Sequence, residues 1–220
     1  VVMGVSKSET RQLVENRRLV ELEDTDLVDD AESLACMLAL TKVIKQYELQ
    51  RILGFHSRIS RSTRFTNSFS SLNTRLGPDE SLPDLWVDHV TGKMPAGERN
   101  RLLKQFNSGQ SQVNLLNNVR CLGEGIDVPD IDGIVFVDSK NSVIDIAQAV
   151  GRAIRKTDPP KLGTIVVPVL IDDTSGISID EQLGESRFDK IWQVLNALRS
   201  HDEILQEDLD KLRYEIGRYG

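Results

Sequence analysis

Residues Asn117 to Lys156 read NNVRCLGEGIDVPDIDGIVFVDSKNSVIDIAQAVGRAIRK. Two blocks within them govern the rest: Gly123-Glu-Gly-Ile-Asp-Val-Pro129 and Gln148-Ala-Val-Gly-Arg-Ala-Ile-Arg155. Between Ser142 and Ile154, the apolar residues Val143, Ile146, Ala147, Val150 and Ile154 recur at helical spacing and predict one buried stripe. Gln148, Arg152 and Arg155 fall at i, i+4 and i+7, so an amide and two guanidiniums share the opposite face. Ser142 with Asp145 reads as a near capping box at the start of this helix. Gly151 in its middle costs about 1 kcal/mol relative to alanine, which points to a close packing partner at that turn. Planar, permanently charged forks on a rigid helix suit phosphate oxygens. A solvated basic face is the alternative that the helix alone leaves open.

Working outward, the first block sits between an apolar strand candidate at Val113 to Leu116 and another at Gly133 to Val137. Two glycines allow a backbone to approach a ligand, and the Asp127 carboxylate can accept a ribose hydroxyl. Pro129 excludes a helix through the block. It is not a dinucleotide fingerprint, because the third glycine and the following helix are missing. Alone it reads more readily as a turn between strands.

Upstream, Asp29 and Asp30 can cap a helix running to about Tyr47, with Leu34, Leu38 and Ile44 buried. Arg51 to Phe55 predicts a short strand, followed by His56-Ser-Arg-Ile-Ser-Arg-Ser-Thr-Arg64. The carboxyl end of a strand is where an open parallel sheet places ligand contacts, which makes Ser57, Arg58 and Arg61 candidates. A plain helix start with solvated arginines is the alternative, and His56 reads as ordinary packing. Asp84 to Val90 predicts a further strand that ends at Thr91-Gly92-Lys93-Met94-Pro95. Ala96 to Ser108 then forms an amphipathic helix with Leu102, Leu103 and Phe106 inward and Gly109 as its stop. The Thr91 hydroxyl and Lys93 ammonium could meet a phosphate, although the turn explains itself equally well as a helix lead-in. The Thr-Gly-Lys is not a phosphate-binding P-loop, since the GxxxxGK[ST] spacing is missing. Downstream, Gly163 to Ile171 reads as a buried strand, and Phe188 to Ser200 and His201 to Gly217 read as helices. Strands alternating with helices predict an α/β fold with an open, mostly parallel sheet and helices on both faces, followed by a C-terminal helical segment.

The chain has 220 residues, 39% of them hydrophobic, enough for one substantial core. Its 27 Lys and Arg against 34 Asp and Glu give a net charge of -7, which argues against coating nucleic acid through bulk charge. The distribution is uneven. Arg51 to Gln110 holds nine basic residues against five acids, whereas acids concentrate from Glu21 to Glu32 and after Asp180. No apolar run approaches the roughly 18 residues of a membrane span. Cys36 and Cys121 stand apart without a metal-binding spacing, and a reduced, cytoplasmic setting is the expectation.

GEGIDVP at 123–129 with QAVGRAIR at 148–155 resembles motifs V and VI of superfamily 2 DEAD/DEAH-like helicases, in their second RecA-like lobe. More narrowly, it resembles the restriction-type, helicase-associated-domain bacterial group. His56 to Arg64 looks like motif IV, and TGKMPAGERNRLLKQF looks like the segment whose Thr-Gly turn nears the nucleic-acid backbone. The resemblance implies a RecA-like fold over residues 31–175, an exit or linker from a first lobe over 1–30, and a helical extension over 176–220. It implies half of an ATP site, with Gly125 and Asp127 at the nucleotide, Asp127 at its ribose, and Gln148, Arg152 and Arg155 facing the γ-phosphate. Arg155 would be the arginine finger. Ser57, Arg58, Thr91, Gly92, Lys93 and Arg120 would meet nucleic acid, expected to be DNA rather than RNA. At Asn117-Asn-Val-Arg-Cys many relatives carry a backbone-touching Thr, for which Asn118 or Arg120 would substitute here.

No GxxxxGK[ST] and no acidic DExH motif occurs, so Mg²⁺ and the β-phosphate are expected to be held mainly by a first lobe of the same polypeptide. The longer protein is expected to be an ATP-dependent helicase or translocase, and the isolated chain inactive. The alternatives are the motor part of a restriction-type enzyme, or a RecA-like lobe serving as a non-catalytic binding module.

Overall fold

The computed structural model describes residues 2–6, 31–119, 131–138, 164–171, 176–178, 181–182 and 189. Its strands are β1 (Val2–Ser6), β2 (Arg51–Phe55), β3 (Leu85–Thr91), β4 (Val113–Val119), β5 (Gly133–Phe136) and β6 (Thr164–Ile171). Among the described residues, three helices stand between them: α1 (Ala31–Gln46), α2 (Ile59–Arg75) and α3 (Ala96–Ser108). The strands form one sheet in the order β1-β6-β5-β2-β4-β3, and every neighbouring pair is parallel. β2 and α3 run as their sequence predicts, and Gly109 ends α3 in the left-handed conformation at φ 59°. Val2–Ser6, inside the span expected to be an exit segment, pairs with β6 from Val2 opposite Val167 to Ser6 opposite Ile171. The helices expected beyond residue 187 lie outside the described residues.

Parallel pairing puts opposed residues on the same face, so register sorts the core. Ile52, Leu115, Val135 and Val166 share one face and join a single buried cluster with Leu34, Met37, Leu40, Val43 and Ile44 of α1 and Phe65, Phe69 and Leu72 of α2. Trp86 belongs to the opposite face, where its ring meets Phe106 of α3 with centroids 6.4 Å apart. Helices therefore cover both faces. α1 is buried around nearly its whole circumference, consistent with its run Leu34-Ala-Cys-Met-Leu-Ala-Leu40 and its place against β6 and β1.

From β2 the chain winds outward through α2 to the edge strand β3 and returns through α3 to β4. It then crosses to the other side of β2 as β5. The winding thus reverses at β2, and the crevice outside the carboxyl ends of β2 and β5 is where an open α/β sheet binds its ligands.

One glycine on the β2–β4 pair is fixed by what lies beside it. Gly54 stands opposite Asn117, and a Cβ at Gly54 would collide with the Asn117 side-chain oxygen. That oxygen has little room to retreat, because the Asn117 side chain is buried and bonded on both sides. Gly54→Ala should therefore destabilise the fold by about 1 to 3 kcal/mol through overpacking. Gly97, in the first turn of α3, has nothing within 4 Å of a Cβ, and Gly97→Ala should stabilise by about 0.5 to 1 kcal/mol. Paired urea titrations of the two variants check the contrast, and equal effects would contradict it.

Candidate functional site

The carboxyl ends of β2, β4 and β5 converge on a polar cluster drawn from distant parts of the chain. Phe55 closes β2, and His56 and Ser57 turn into α2. Asn117 sits within β4, and Asp138 follows the end of β5. Asp138 is 4% exposed and, among the described residues, accepts three hydrogen bonds. The Ser57 backbone N–H donates to its Oδ2 at 3.0 Å, the Ser57 hydroxyl donates to the same oxygen at 3.1 Å, and Arg61 Nη1 donates to Oδ1 at 2.7 Å. Burial pushes the Asp138 carboxyl up, yet the Ser57 N–H and the Arg61 guanidinium outweigh it and hold it below its ordinary value. The Arg61 side chain remains 54% exposed, so one end of this ion pair is open to solvent.

Beneath that surface lies a buried relay. His56 Nε2 and Asn117 Oδ1 are 3.0 Å apart, Asn117 Nδ2 donates to Thr66 Oγ1 at 2.9 Å, and the Thr66 hydroxyl donates to the Ser62 carbonyl at 2.9 Å. Because the Asn117 amide spends its N–H on Thr66, its oxygen is the acceptor, and His56 carries its proton on Nε2. His56 Nδ1 then presents a bare lone pair, makes no hydrogen bond, and lies 3.8 Å from Asp138 Oδ2. Protonation there would create an ion pair, but desolvation dominates and lowers the His56 pKa to about 4, against the raising effects of Asn117 and Asp138. His56, expected to be ordinary packing, is buried against the Phe65 ring and is also a neutral, oriented member of this cluster.

The start of α2 faces outward at the same place. Arg58 is its N-cap, no side chain caps it, and its first turn carries no acid. Ser57, Arg58, Arg61 and Arg64 are exposed around it. A positive helix end with guanidiniums and a hydroxyl beside it matches phosphate oxygens in charge and donor geometry. The second candidate turn divides. Thr91 is 3% exposed at the end of β3 and its carbonyl accepts the Met94 N–H at 3.1 Å, whereas Gly92 and Lys93 are exposed. β2, β4 and β3 are consecutive neighbours, so both turns lie along the same edge of the sheet.

Arg120, Gly125, Asp127, Gln148, Arg152 and Arg155 lie outside the described residues. Their donor chemistry, an amide and two guanidiniums for phosphate and a carboxylate for ribose, fits a nucleotide. Among the described residues, no group of three His, Cys, Asp or Glu could hold a metal ion, and no helix is long and apolar enough to cross a membrane. Asp138, Asn117 and the role of His56 escape the sequence motifs, although an aspartate closing the apolar run Gly133 to Val137 and an asparagine inside β4 are the signals that could have found them.

The family model "Helicase conserved C-terminal domain" matches residues 37–157. A probable helicase of African swine fever virus is 30% identical over 105 residues, which are 48% of this chain and 11% of the viral protein. This chain thus spans about a tenth of the length of the curated relatives it matches. Among solved structures, the ATP-dependent Type ISP restriction-modification enzyme LlaBIII bound to DNA superposes with a TM-score of 0.70 at 25% identity, over 96% of this chain and 14% of that one. The E. coli DEAD-box protein SrmB superposes with a TM-score of 0.50 at 20% identity, over 74% of this chain and 79% of its own. The parallel α/β sheet is of the RecA-like kind found in helicase C-terminal lobes.

The buried His56 gives a pH dependence with a definite sign. The unfolded chain takes up this proton below about pH 6.5, the folded chain only below about 4. Stability is therefore complete above pH 6.5 and falls as pH drops through that window, by about 2 kcal/mol between pH 7 and pH 5. Asp138, its carboxyl depressed, adds a loss in the same direction at still lower pH. Urea unfolding against pH, with NMR of the His56 ring, checks this. Titration of that ring near pH 6.5 would contradict the buried neutral state.

Proposed function

This chain belongs to the family of helicase conserved C-terminal domains, and from that premise we propose that it is the second motor lobe of an ATP-dependent helicase or translocase acting on nucleic acid, DNA rather than RNA. The observation that carries the reading is the family match over residues 37–157, which spans the sheet's switch point and both the GEGIDVP and QAVGRAIR blocks. The phosphate-suited face of Ser57, Arg58 and Lys93 at the strands' carboxyl ends supports the nucleic-acid half of the reading.

In this proposal Gly125 and Asp127 approach the nucleotide, Asp127 accepting a ribose hydroxyl. Gln148, Arg152 and Arg155 face the γ-phosphate from one helix, Arg155 as the arginine finger that offsets charge developing during phosphoryl transfer. A first lobe holds Mg²⁺ and the β-phosphate, and closure of the two lobes joins the halves of the site. ATP supplies the free energy of the cycle. Ser57, Arg58, Gly92, Lys93 and Arg120 hold the nucleic-acid backbone, with the buried Thr91 shaping the turn behind Gly92, so the grip reads phosphate and sugar more than sequence.

A second reading, the motor part of a restriction-type enzyme, draws on the likeness to LlaBIII, which at 25% identity extends over 96% of this chain. The two readings share every residue role and differ in what the motor is attached to.

ATP hydrolysis by the protein carrying its first lobe should rise with DNA, and Arg155→Ala should lower that turnover about 10³-fold or more while the fold is kept. Affinity for single- and double-stranded DNA should fall log-linearly with salt and vary little with sequence. Unchanged hydrolysis in Arg155→Ala would remove the finger assignment. A protein inactive with every nucleic acid would leave the lobe as a binding module.

A further inference from the structure

Asp138 is buried, touches the turn proposed to grip nucleic acid, and lies at the end of the strand that leads toward Gln148, Arg152 and Arg155. Its charge is the wrong sign for a direct role. A carboxylate beneath an anion-binding turn weakens the field that attracts phosphate, and the Arg61 that compensates it is half-exposed to solvent. Its geometry is another matter. It takes the Ser57 N–H at 3.0 Å, the Ser57 hydroxyl at 3.1 Å and Arg61 at 2.7 Å, and so fixes both the residue before α2 and a residue in its first turn. Little else sets that start, since α2 has no side-chain cap and no acid in its first turn. The relay from His56 through Asn117 to Thr66 holds the neighbouring stretch of α2 from below, leaving the outermost turn to Asp138.

Resting on the motor reading above, we propose that Asp138 is a positioning residue for the nucleic-acid grip, orienting Ser57 and the first turn of α2 so that Arg58 and the helix end meet the backbone phosphates together. It joins the β2–α2 turn to the end of β5, although the two are about 80 residues apart in sequence. Field and geometry act in opposite directions, which makes the assignment testable. If the field dominated, neutralising Asp138 would tighten binding. If positioning dominates, neutralising it weakens binding.

The experiment uses the protein carrying both lobes, with a fluorescent single-stranded DNA and its RNA counterpart as probes and nucleic-acid-stimulated ATP hydrolysis as a second readout. Asp138→Asn keeps the volume but removes the charge that strengthens the bonds from the Ser57 N–H, the Ser57 hydroxyl and Arg61. Arg61→Met removes the guanidinium from the half-exposed end of the ion pair, and urea unfolding of this variant separates a loss of grip from a loss of fold, since Asp138 is left buried without its counter-charge. Each variant should raise the KM for nucleic acid about tenfold and leave kcat at saturating nucleic acid within about twofold. The double variant should bind no worse than either single one, because both remove one contact. The Ser57 amide should exchange faster with solvent in Asp138→Asn. Tighter binding by Asp138→Asn, an unchanged KM, or a KM change in Arg61→Met alone with additive effects would overturn the proposal while leaving the motor reading intact. A wild-type protein that binds neither nucleic acid would overturn both.

Discussion

Asp132 and Asp138 bracket the four residues of β5, and each reaches across to the backbone beside β2. Asp132 accepts the Gln50 and Arg51 N–H groups at 2.8 and 2.9 Å, at the amino end, and Asp138 accepts Ser57 at the carboxyl end. Charge-assisted bonds to backbone donors are among the stronger ones available to a folded chain. They matter here because β2 and β5 have no direct connection, since every residue between them in sequence passes through α2, β3, α3 and β4 first. The central seam of the sheet is thus a backbone ladder pinned at each end by a side chain, and the candidate site is built over one end of that seam.

The polar interior beside the seam depends on the same economy of space. Asn117 occupies volume that any side chain at Gly54 would need, and from there it reaches His56 and Thr66. A buried amide is tolerable only when both ends are bonded, and both are. The relay in turn settles the His56 tautomer, and its bare nitrogen faces the carboxylate that organises the surface turn. Strand, relay and turn are therefore one connected polar object set in an apolar core of leucine, isoleucine, valine and phenylalanine.

How much of this could be read beforehand follows from the range of each signal. β2, α3 and the Gly109 stop are local patterns, an apolar run, a 3.6-residue stripe and a left-handed C-cap, and they stand where the sequence puts them. The parallel sheet was legible from the alternation of elements. Val2–Ser6 was not legible as a strand, because its partner β6 is more than 150 residues away and five residues carry too little pattern. Ser57 and Arg58, singled out because strand ends in such sheets gather ligand contacts, and Gly92 and Lys93, singled out from the Thr-Gly turn, are exposed at the carboxyl ends of β2 and β3. Thr91, sought for its hydroxyl, is buried at 3% exposure. Asp138 and Asn117 were missed since their meaning lies in contacts across 50 to 80 residues that no local period records.

A sheet wound outward from its middle in two directions can in principle behave as two plates that slide. Here β3, β4 and β2 would make one plate and β5, β6 and β1 the other. Sliding along the strand axis would have to break the Asp132 bonds and the Asp138 bonds together, because they sit at opposite ends of the same short strand. The turn after β2 is therefore tied directly to β5, by side chains at both ends of the strand as well as by the ladder between them.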